Sequence, residues 1–422
     1  MKISIVIPTH SRAETLRNAI DSVIALHDAA EYEFVIVDNN STDHTRQVVE
    51  SYAPVAKYVF EGNTSFSRAR KTGADHSTGD VLLYLDDDVL VRPGALDNIV
   101  DVFSRYPDCG VIAGRIDPKY TQVPPSWTME CQSSFNGWSL FNPETYGFLH
   151  SDFQEVPSAA GPMMAIRRAA YDLVGGFPPD TIGVESNRGP KSFNKLYIGP
   201  GDYGLCLKIR DAGFKVYYSS AISVFHVIPP MRFSVSFWRS RVIGEGYAQA
   251  ISARSFFHLK GRKAYAAWLR CQVSFFRFEQ QLVARLEKSS SAPAPSDPNR
   301  VFPDELWALY YKAYLDMDYV LRRHPGLCAF LWEIGDQGVS SENYDAVMGR
   351  LPQEYKELVS NELVFDSTPL DSLSMYEKVV KGKGYYGKNI SMFFRSGLSR
   401  AILMYVVDSI AQLKGSFRPR AQ

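Results

Sequence analysis

Val81-Leu82-Leu83-Tyr84-Leu85-Asp86-Asp87-Asp88 is a short apolar run that ends abruptly in three carboxylates. Five consecutive apolar side chains without alternation predict a strand inside a parallel sheet that is covered on both faces. The flanking sequence supplies the rest of such a sheet. Residues 3–7, 34–37, 58–60 and 111–113 read as further strands, and residues 13–26, 42–52, 67–76 and 93–106 between them have helical periodicity, with Pro93 suited to a first helical turn. Strands alternating with helices from Met1 to about Gly114 predict an α/β fold, a doubly wound half with a mostly parallel sheet. In such sheets ligands lie beyond the carboxyl ends of the strands, so the polar residues after each apolar run are the candidates for chemistry.

Beyond residue 114 the pattern changes. Residues 115–160 are rich in aromatic residues, proline and serine (Trp127, Phe135, Trp138, Phe141, Tyr146 and Phe148 among them) and read as a binding-loop region. Regular structure is expected again at 163–168, as a helix over 202–212 after a glycine-rich stretch, and as a strand over 215–219. The run of serine, alanine and proline after Lys288 has linker composition, and most of the remaining chain reads helical. These changes divide the 422 residues into a domain over 1–230, with halves at about 1–114 and 115–230, a basic aromatic helical extension over 231–288, a linker over 289–300 and a helical C-terminal domain over 301–422.

Charge narrows the range of partners. Lys plus Arg equals Asp plus Glu at 46 each, which removes any global case for nucleic acid. Locally the balance is uneven, with a net +8 over residues 231–288 and +7 over 381–422. These basic, aromatic stretches suit an anionic membrane surface, and equally suit packing against a protein core. Five scattered cysteines without a Cys-x-x-Cys pair, and an N-terminus that reads as a strand, fit a reduced cytoplasm. No run is long and apolar enough to span a bilayer, so peripheral contact with the inner face of the membrane is the expected limit.

The chemistry centres on the three aspartates. Alternation along a strand would put Asp86 and Asp88 on one side and Asp87 on the other. Clustered anions at an apolar edge are unfavourable unless something positive neutralises them, and oxygen ligands point to a hard divalent cation, Mn2+ or Mg2+. The alternative is an exposed acidic turn. A second carboxylate, Asp38, ends the strand over 34–37 and could accept hydrogen bonds from a nucleobase or ribose, while Ser41 or Thr42 caps the next helix.

Taken in order, these pieces resemble family 2 glycosyltransferases. The resemblance rests on Ser4-Ile5-Val6-Ile7-Pro8-Thr9-His10-Ser11-Arg12, on Asp38-Asn39-Asn40-Ser41-Thr42-Asp43, on Ala69-Arg70-Lys71-Thr72-Gly73 and on Asp86-Asp87-Asp88. It continues through Met164-Ala165-Ile166-Arg167-Arg168, Gly175-Gly176-Phe177, Gly201-Asp202 and Val224-Phe225-His226, and covers roughly residues 2–250. It implies a GT-A fold and an inverting transfer from a UDP- or GDP-type nucleotide-sugar donor to a hydroxyl of a glycan or lipid-linked acceptor, as in cell-surface polysaccharide synthesis. The half over 1–114 would hold the nucleotide sugar and that over 115–230 the acceptor. Carried over by position, Pro8, Thr9, Arg12, Asp38 and Arg70 would line the nucleotide pocket, with Asp86 or Asp87 nearer the ribose. Asp88 and His226 would hold the metal, and Asp202 would be the catalytic base. Arg232 is near enough in sequence to His226 to reach donor phosphate.

Two positions depart from the family pattern. Asp202 is flanked by Gly201 and Gly204 where acidic residues are common, and Met163 stands where an asparagine is common. Both lie on the acceptor side, and they motivate a second reading, a non-catalytic nucleotide-sugar binding or scaffold protein.

Overall fold

The structure is a computed structural model that describes residues 1–178 and 201–255 and, with a few interruptions, 303–333 and 344–360. The expected alternation is present. In chain order it runs β1 (Ile3–Thr9), α1 (Ala13–Ile24), β2 (Tyr32–Asp38), α2 (Thr45–Glu50), β3 (Ala56–Phe60), α3 (Phe66–Asp75), β4 (Val81–Leu85), β5 (Val89–Val91) and α4 (Ala95–Arg105). It continues with β6 (Cys109–Tyr120), α5 (Ser126–Phe135), β7 (Phe153–Glu155), β8 (Met163–Arg167), α6 (Arg168–Leu173), α7 (Gly201–Asp211) and β9 (Lys215–Ile228). A 3₁₀ turn (Pro230–Phe233) then leads into α8 (Val235–Ser255), followed by α9 (Pro303–Arg323), α10 (Tyr344–Arg350) and α11 (Gln353–Ser360).

The nine strands form one sheet in the order β3-β2-β1-β4-β8-β6-β9-β5, with β7 also paired to β9. Strands β3, β2, β1 and β4 are mutually parallel, and β8 is inserted antiparallel between β4 and β6. Because β8 runs backwards, its first residue Met163 lies opposite Leu85, the last residue of β4. The loops after β1, β2 and β4 and the residues just before β8 therefore share one edge, and the far end of β9 reaches it through parallel pairing with β6.

Packing explains why these segments fold as they do. Helix α1 buries Ala13, Leu16, Ala19, Ile20 and Val23, a three-and-four spacing that lays one stripe on the sheet. Helix α3 starts at Ser65, whose hydroxyl accepts from the Arg68 amide, and presses Gly73 onto β1. A Cβ at Gly73 would lie 2.2 Å from Val6 Cγ1, so the glycine permits a close approach that brings Arg70 to the sheet edge. The Arg167-Arg168 pair closes two other helices. Arg167 donates to the carbonyls of Phe103 and Tyr106 at the end of α4, and Arg168 donates to Ala74 O and Ser77 Oγ at the end of α3.

Several local expectations shift. Pro93 lies ahead of α4, whose N-cap is the left-handed Gly94. Part of the expected binding-loop region is regular, since β6 extends to Tyr120 and α5 comes after it. The strand predicted over 215–219 runs on to Ile228. Within 235–251, part of the basic aromatic stretch, Trp238, Val242, Ile243, Tyr247 and Ile251 are buried. Helix α9 packs there through a buried ion pair in which Arg239 Nη2 lies 2.8 Å from Glu305 Oε1, and reaches α5 through Trp307, whose ring is tilted against that of Phe135 with centroids 4.2 Å apart. The linker over 289–300 and the basic segments over 256–288 and 388–420 lie outside the described residues. No helix among the described residues is long and apolar enough to cross a membrane.

Candidate active site

Three loops at the shared edge carry the acidic residues. Strand β4 ends at Leu85 and the chain turns at once, with Val89 N donating to Asp86 O, so the alternation expected through Asp88 does not continue. The aspartates divide differently as a result. Asp86 faces Arg70, whose Nη2 lies 3.7 Å away, whereas Asp87 and Asp88 are both held by Arg12, at 2.5 Å and 2.9 Å. Thr9, at the end of β1, donates its hydroxyl proton to Asp87 at 2.7 Å. Pro8, beside it in β1, is buried against β2.

Asp88 is 3% exposed and is the most heavily engaged of the three. Its Oδ2 accepts from Arg12 and from Arg232, each at 2.9 Å, while its Oδ1 makes no hydrogen bond and lies 3.2 Å from His226 Nε2. Arg232 also lies 3.0 Å from His226 Nε2. An arginine can only donate, so Nε2 is the acceptor in that bond and the ring proton sits on Nδ1. Burial lowers the His226 pKa and outweighs the opposing pull of Asp88, which keeps the imidazole neutral. Asp88 Oδ1 has no hydrogen bond, and the single lone pair of His226 Nε2, engaged by Arg232 here, becomes available beside it once Arg232 turns to another anion. Their 3.2 Å separation is close to the roughly 3.0 Å between adjacent ligands of an octahedral Mg2+ at about 2.1 Å. These two residues fit a divalent cation, although among the described residues there is no cluster of three or more His, Cys, Asp or Glu side chains set to hold one.

Arg70 links the acidic cluster to Asp202. Its guanidinium, 1% exposed, pairs with Asp202 at the start of α7 and donates to Gly161 O at 3.3 Å, besides approaching Asp86. It is stacked over Phe66 at 3.9 Å and Phe177 at 4.8 Å, which shields it from water and strengthens its electrostatic interactions. The family resemblance places Arg70 along the nucleotide pocket; its contacts here are with carboxylates that the sequence separates by 116 residues.

Asp38 sits at the rim of the same edge, 3% exposed. Its two oxygens accept from Ser41 N and Tyr58 Oη, both at 2.8 Å. Neither Ser41 nor Thr42 caps α2. Ser41 Oγ accepts from Ser11 N and Thr42 N donates to Ser11 Oγ, so the loops after β1 and β2 are tied together, while Asp43 receives Thr45 N and Ala13 N. Tyr58, Phe66, Gly161 and Phe177 had no place in the expected site. Tyr58 and Phe66 come from apolar periodic runs and carry no distinguishing signal in the sequence, whereas Phe177 belongs to one of the motifs behind the family resemblance.

The charges are not equivalent. Burial, reinforced by Asp88, Asp202 and Asp87 and opposed by Arg70, pushes Asp86 up to about 7. Burial likewise pushes Asp87 to about 6 against the pull of Arg12. For Asp88 the upward effect of burial is outweighed by the guanidinium groups of Arg12 and Arg232, which hold its carboxyl well below the usual range. Between about pH 4 and pH 7 the folded protein therefore binds more protons at Asp86 than the unfolded chain does, so this residue costs stability as pH rises through that window. Asp86→Asn is expected to stabilise the ligand-free protein by about 1–2 kcal/mol at pH 8 and by almost nothing at pH 4. Thermal melts at the two pH values check this, and an equal shift at both would mean that Asp86 is ionised throughout.

A mostly parallel sheet with acidic side chains and arginines, Arg70 fully buried among them, at its carboxyl edge is an α/β arrangement suited to a charged ligand there. A model of glycosyl transferase family 2 matches residues 4–175, the span that carries every strand from β1 to β8. The chain is 24% identical over 257 residues, 60% of its length and 77% of the relative's, to a glucosyl-dolichyl phosphate glucuronosyltransferase of Haloferax volcanii. It is 36% identical over 116 residues to an uncharacterized glycosyltransferase of Nostoc, covering 26% of this chain and 36% of that one. A solved mannosyltransferase from Pyrobaculum calidifontis, in complex with GDP-Man and Mn2+, aligns over 90% of this chain and 88% of its own at 16% identity, with a TM-score of 0.40. Residues 4–175 therefore match the glycosyl transferase family 2 model, and the mostly parallel sheet described above is the α/β arrangement expected for them.

Proposed function

We propose that this enzyme is an inverting, metal-dependent glycosyltransferase that moves a sugar from a UDP- or GDP-type donor to a hydroxyl of a glycan or lipid-linked glycan, with Asp202 as the base. The observation that carries the reading is the single guanidinium of Arg70 between Asp202 and Asp86, which holds the candidate base beside the acidic cluster although 116 residues separate them in sequence. Asp38, Thr9 and Pro8 form the nucleoside end, and Arg12 and Arg232 move from Asp87 and Asp88 onto the donor diphosphate. Asp88 and His226 would hold a divalent cation, Mn2+ or Mg2+, which when bound would supply positive charge for the departing diphosphate. Asp202 accepts the proton of the acceptor hydroxyl as that oxygen attacks the anomeric carbon, and Arg70 keeps the carboxylate ionised and aimed. A lipid-linked acceptor would bring this cytoplasmic enzyme to the inner face of the membrane, and the name of the Haloferax relative includes such a lipid.

The test is a panel of UDP- and GDP-sugars with Mn2+. Slow, metal-dependent release of nucleoside diphosphate supports an enzyme, whereas binding without turnover, even with acceptors present, would favour the scaffold reading. Gly161 offers a finer check. A Cβ there would lie 2.3 Å from Asp202 Oδ2 and 2.9 Å from Arg70 Nη2, so Gly161→Ala must displace the carboxylate. The expected result is a kcat lower by about 10²-fold with donor affinity preserved. Unchanged turnover would show that the position of Asp202 is unimportant.

A further inference from the structure

Arg232 reaches Asp88 from a short 3₁₀ turn, Pro230–Phe233. Arg232 N donates to Pro229 O and Ser234 N to Met231 O, and Met231 at the tip is 53% exposed. Such a turn does not by itself fix a long side chain to the geometry that a two-point contact with Asp88 and His226 requires. What fixes it is Trp138. The indole Nε1 of Trp138 donates to the carbonyl of Arg232 at 3.2 Å, across 94 residues of sequence.

Trp138 is well suited to act as an anchor. It is fully buried, and its ring is enclosed by Tyr120 at 5.5 Å, Phe233 at 5.7 Å and Trp238 at 5.6 Å. Tyr120 ends β6, Phe233 belongs to the turn itself and Trp238 comes from α8, so three separate elements restrict its rotation. Its backbone is held as well, since Trp138 N donates to Gln132 Oε1 at 3.0 Å.

We propose that Trp138 is a positioning residue for the donor diphosphate: its indole N–H holds the Arg232 carbonyl, and so keeps the guanidinium beside Asp88 within reach of the diphosphate. The inference rests on the reading of Arg232 as a diphosphate ligand. It also gives the helices after the sheet a role, because α8, braced by the Arg239 and Glu305 pair, backs Trp138 through Trp238.

Trp138→Phe removes the donor and keeps most of the ring. Calorimetry with UDP and UMP, and with GDP and GMP, in the presence of Mn2+ reads the effect without requiring turnover. The expected result is about a tenfold loss of diphosphate affinity with monophosphate affinity unchanged, the size of one hydrogen bond. A merely structural role would lower both affinities together, and that outcome, or no change in either, overturns the proposal. Arg232→Ala separates the two levels of the reading. If it selectively weakens the diphosphate and Trp138→Phe does not, only the role of Trp138 falls; if neither variant is selective, the reading of Arg232 falls with it. In the double variant, Trp138→Phe should add nothing to the loss caused by Arg232→Ala, because the two lie on one path. A melting curve run alongside establishes that each variant is folded.

Discussion

Asp202→Asn is expected to lower kcat by roughly 10³-fold while donor affinity changes by no more than about threefold. The asymmetry comes from where the side chain sits. Asp202 heads α7, on the far side of Arg70 from Asp86, and has no direct contact with Asp87, Asp88 or His226 among those the structure gives. Asparagine keeps the volume but cannot take a proton, so the step that activates the acceptor hydroxyl is lost and the donor end is spared. Some stability goes too. Arg70 keeps Asp86 at 3.7 Å and Gly161 O at 3.3 Å but loses its main anion, which for a buried cation costs about 1–3 kcal/mol. Steady-state kinetics with titration of the donor read both parameters. Turnover near the wild-type rate would remove Asp202 from the reaction, and a parallel loss of donor affinity would mean that Arg70 had carried the damage to the acidic cluster.

The sheet and the acidic edge were legible because they depend on local pattern. An unbroken apolar run predicts a strand buried on both faces, and Asp86 comes after Leu85 whatever the rest of the chain does. The long strands were read short for a related reason. Strand β6 carries Arg115, Asp117 and Lys119, and β9 carries Ser219, Ser220 and Ser223, so neither keeps an apolar run over its full length; the pairing between them also shifts register at Gly114 and Arg115. Periodicity registers neither polar faces nor register shifts.

What the sequence could not convey is which charges neutralise which. Three adjacent aspartates look alike as letters, yet Asp86 is matched to Arg70 while Asp87 and Asp88 share Arg12, a division decided by where β4 stops. The Arg167-Arg168 motif had an expected place ahead of the base, and its hydrogen bonds go to helix ends. Arg70 was expected among the residues of the nucleotide pocket, and its partners Asp202 and Phe177 come from distant parts of the chain. Each of these depends on contacts between distant segments, for which one sequence holds no local signal.

Asp88→Asn should have opposite effects on two kinds of binding. In the wild type, Asp88 carries two guanidinium contacts and faces His226 while 3% exposed, so its charge is the common partner of Arg12, Arg232 and any cation placed between Oδ1 and Nε2. Neutralising it leaves Arg12 with Asp87 but removes the only carboxylate paired with Arg232 among the described residues, at a cost of about 2–4 kcal/mol in stability. The cation loses its anionic ligand, and the increase in diphosphate affinity on adding Mn2+ should fall by at least about 100-fold. The arginines respond in the other direction. With no carboxylate to hold it, Arg232 is free to meet the diphosphate directly, and Arg12 is held by Asp87 alone, so affinity for UDP or GDP in the presence of EDTA should stay level or rise. Calorimetry with and without Mn2+ on the folded variant distinguishes these signs. Full retention of the Mn2+ dependence would move the cation away from Asp88, and a fall in the metal-free affinity would mean that the arginines need Asp88 to hold them in place for the diphosphate.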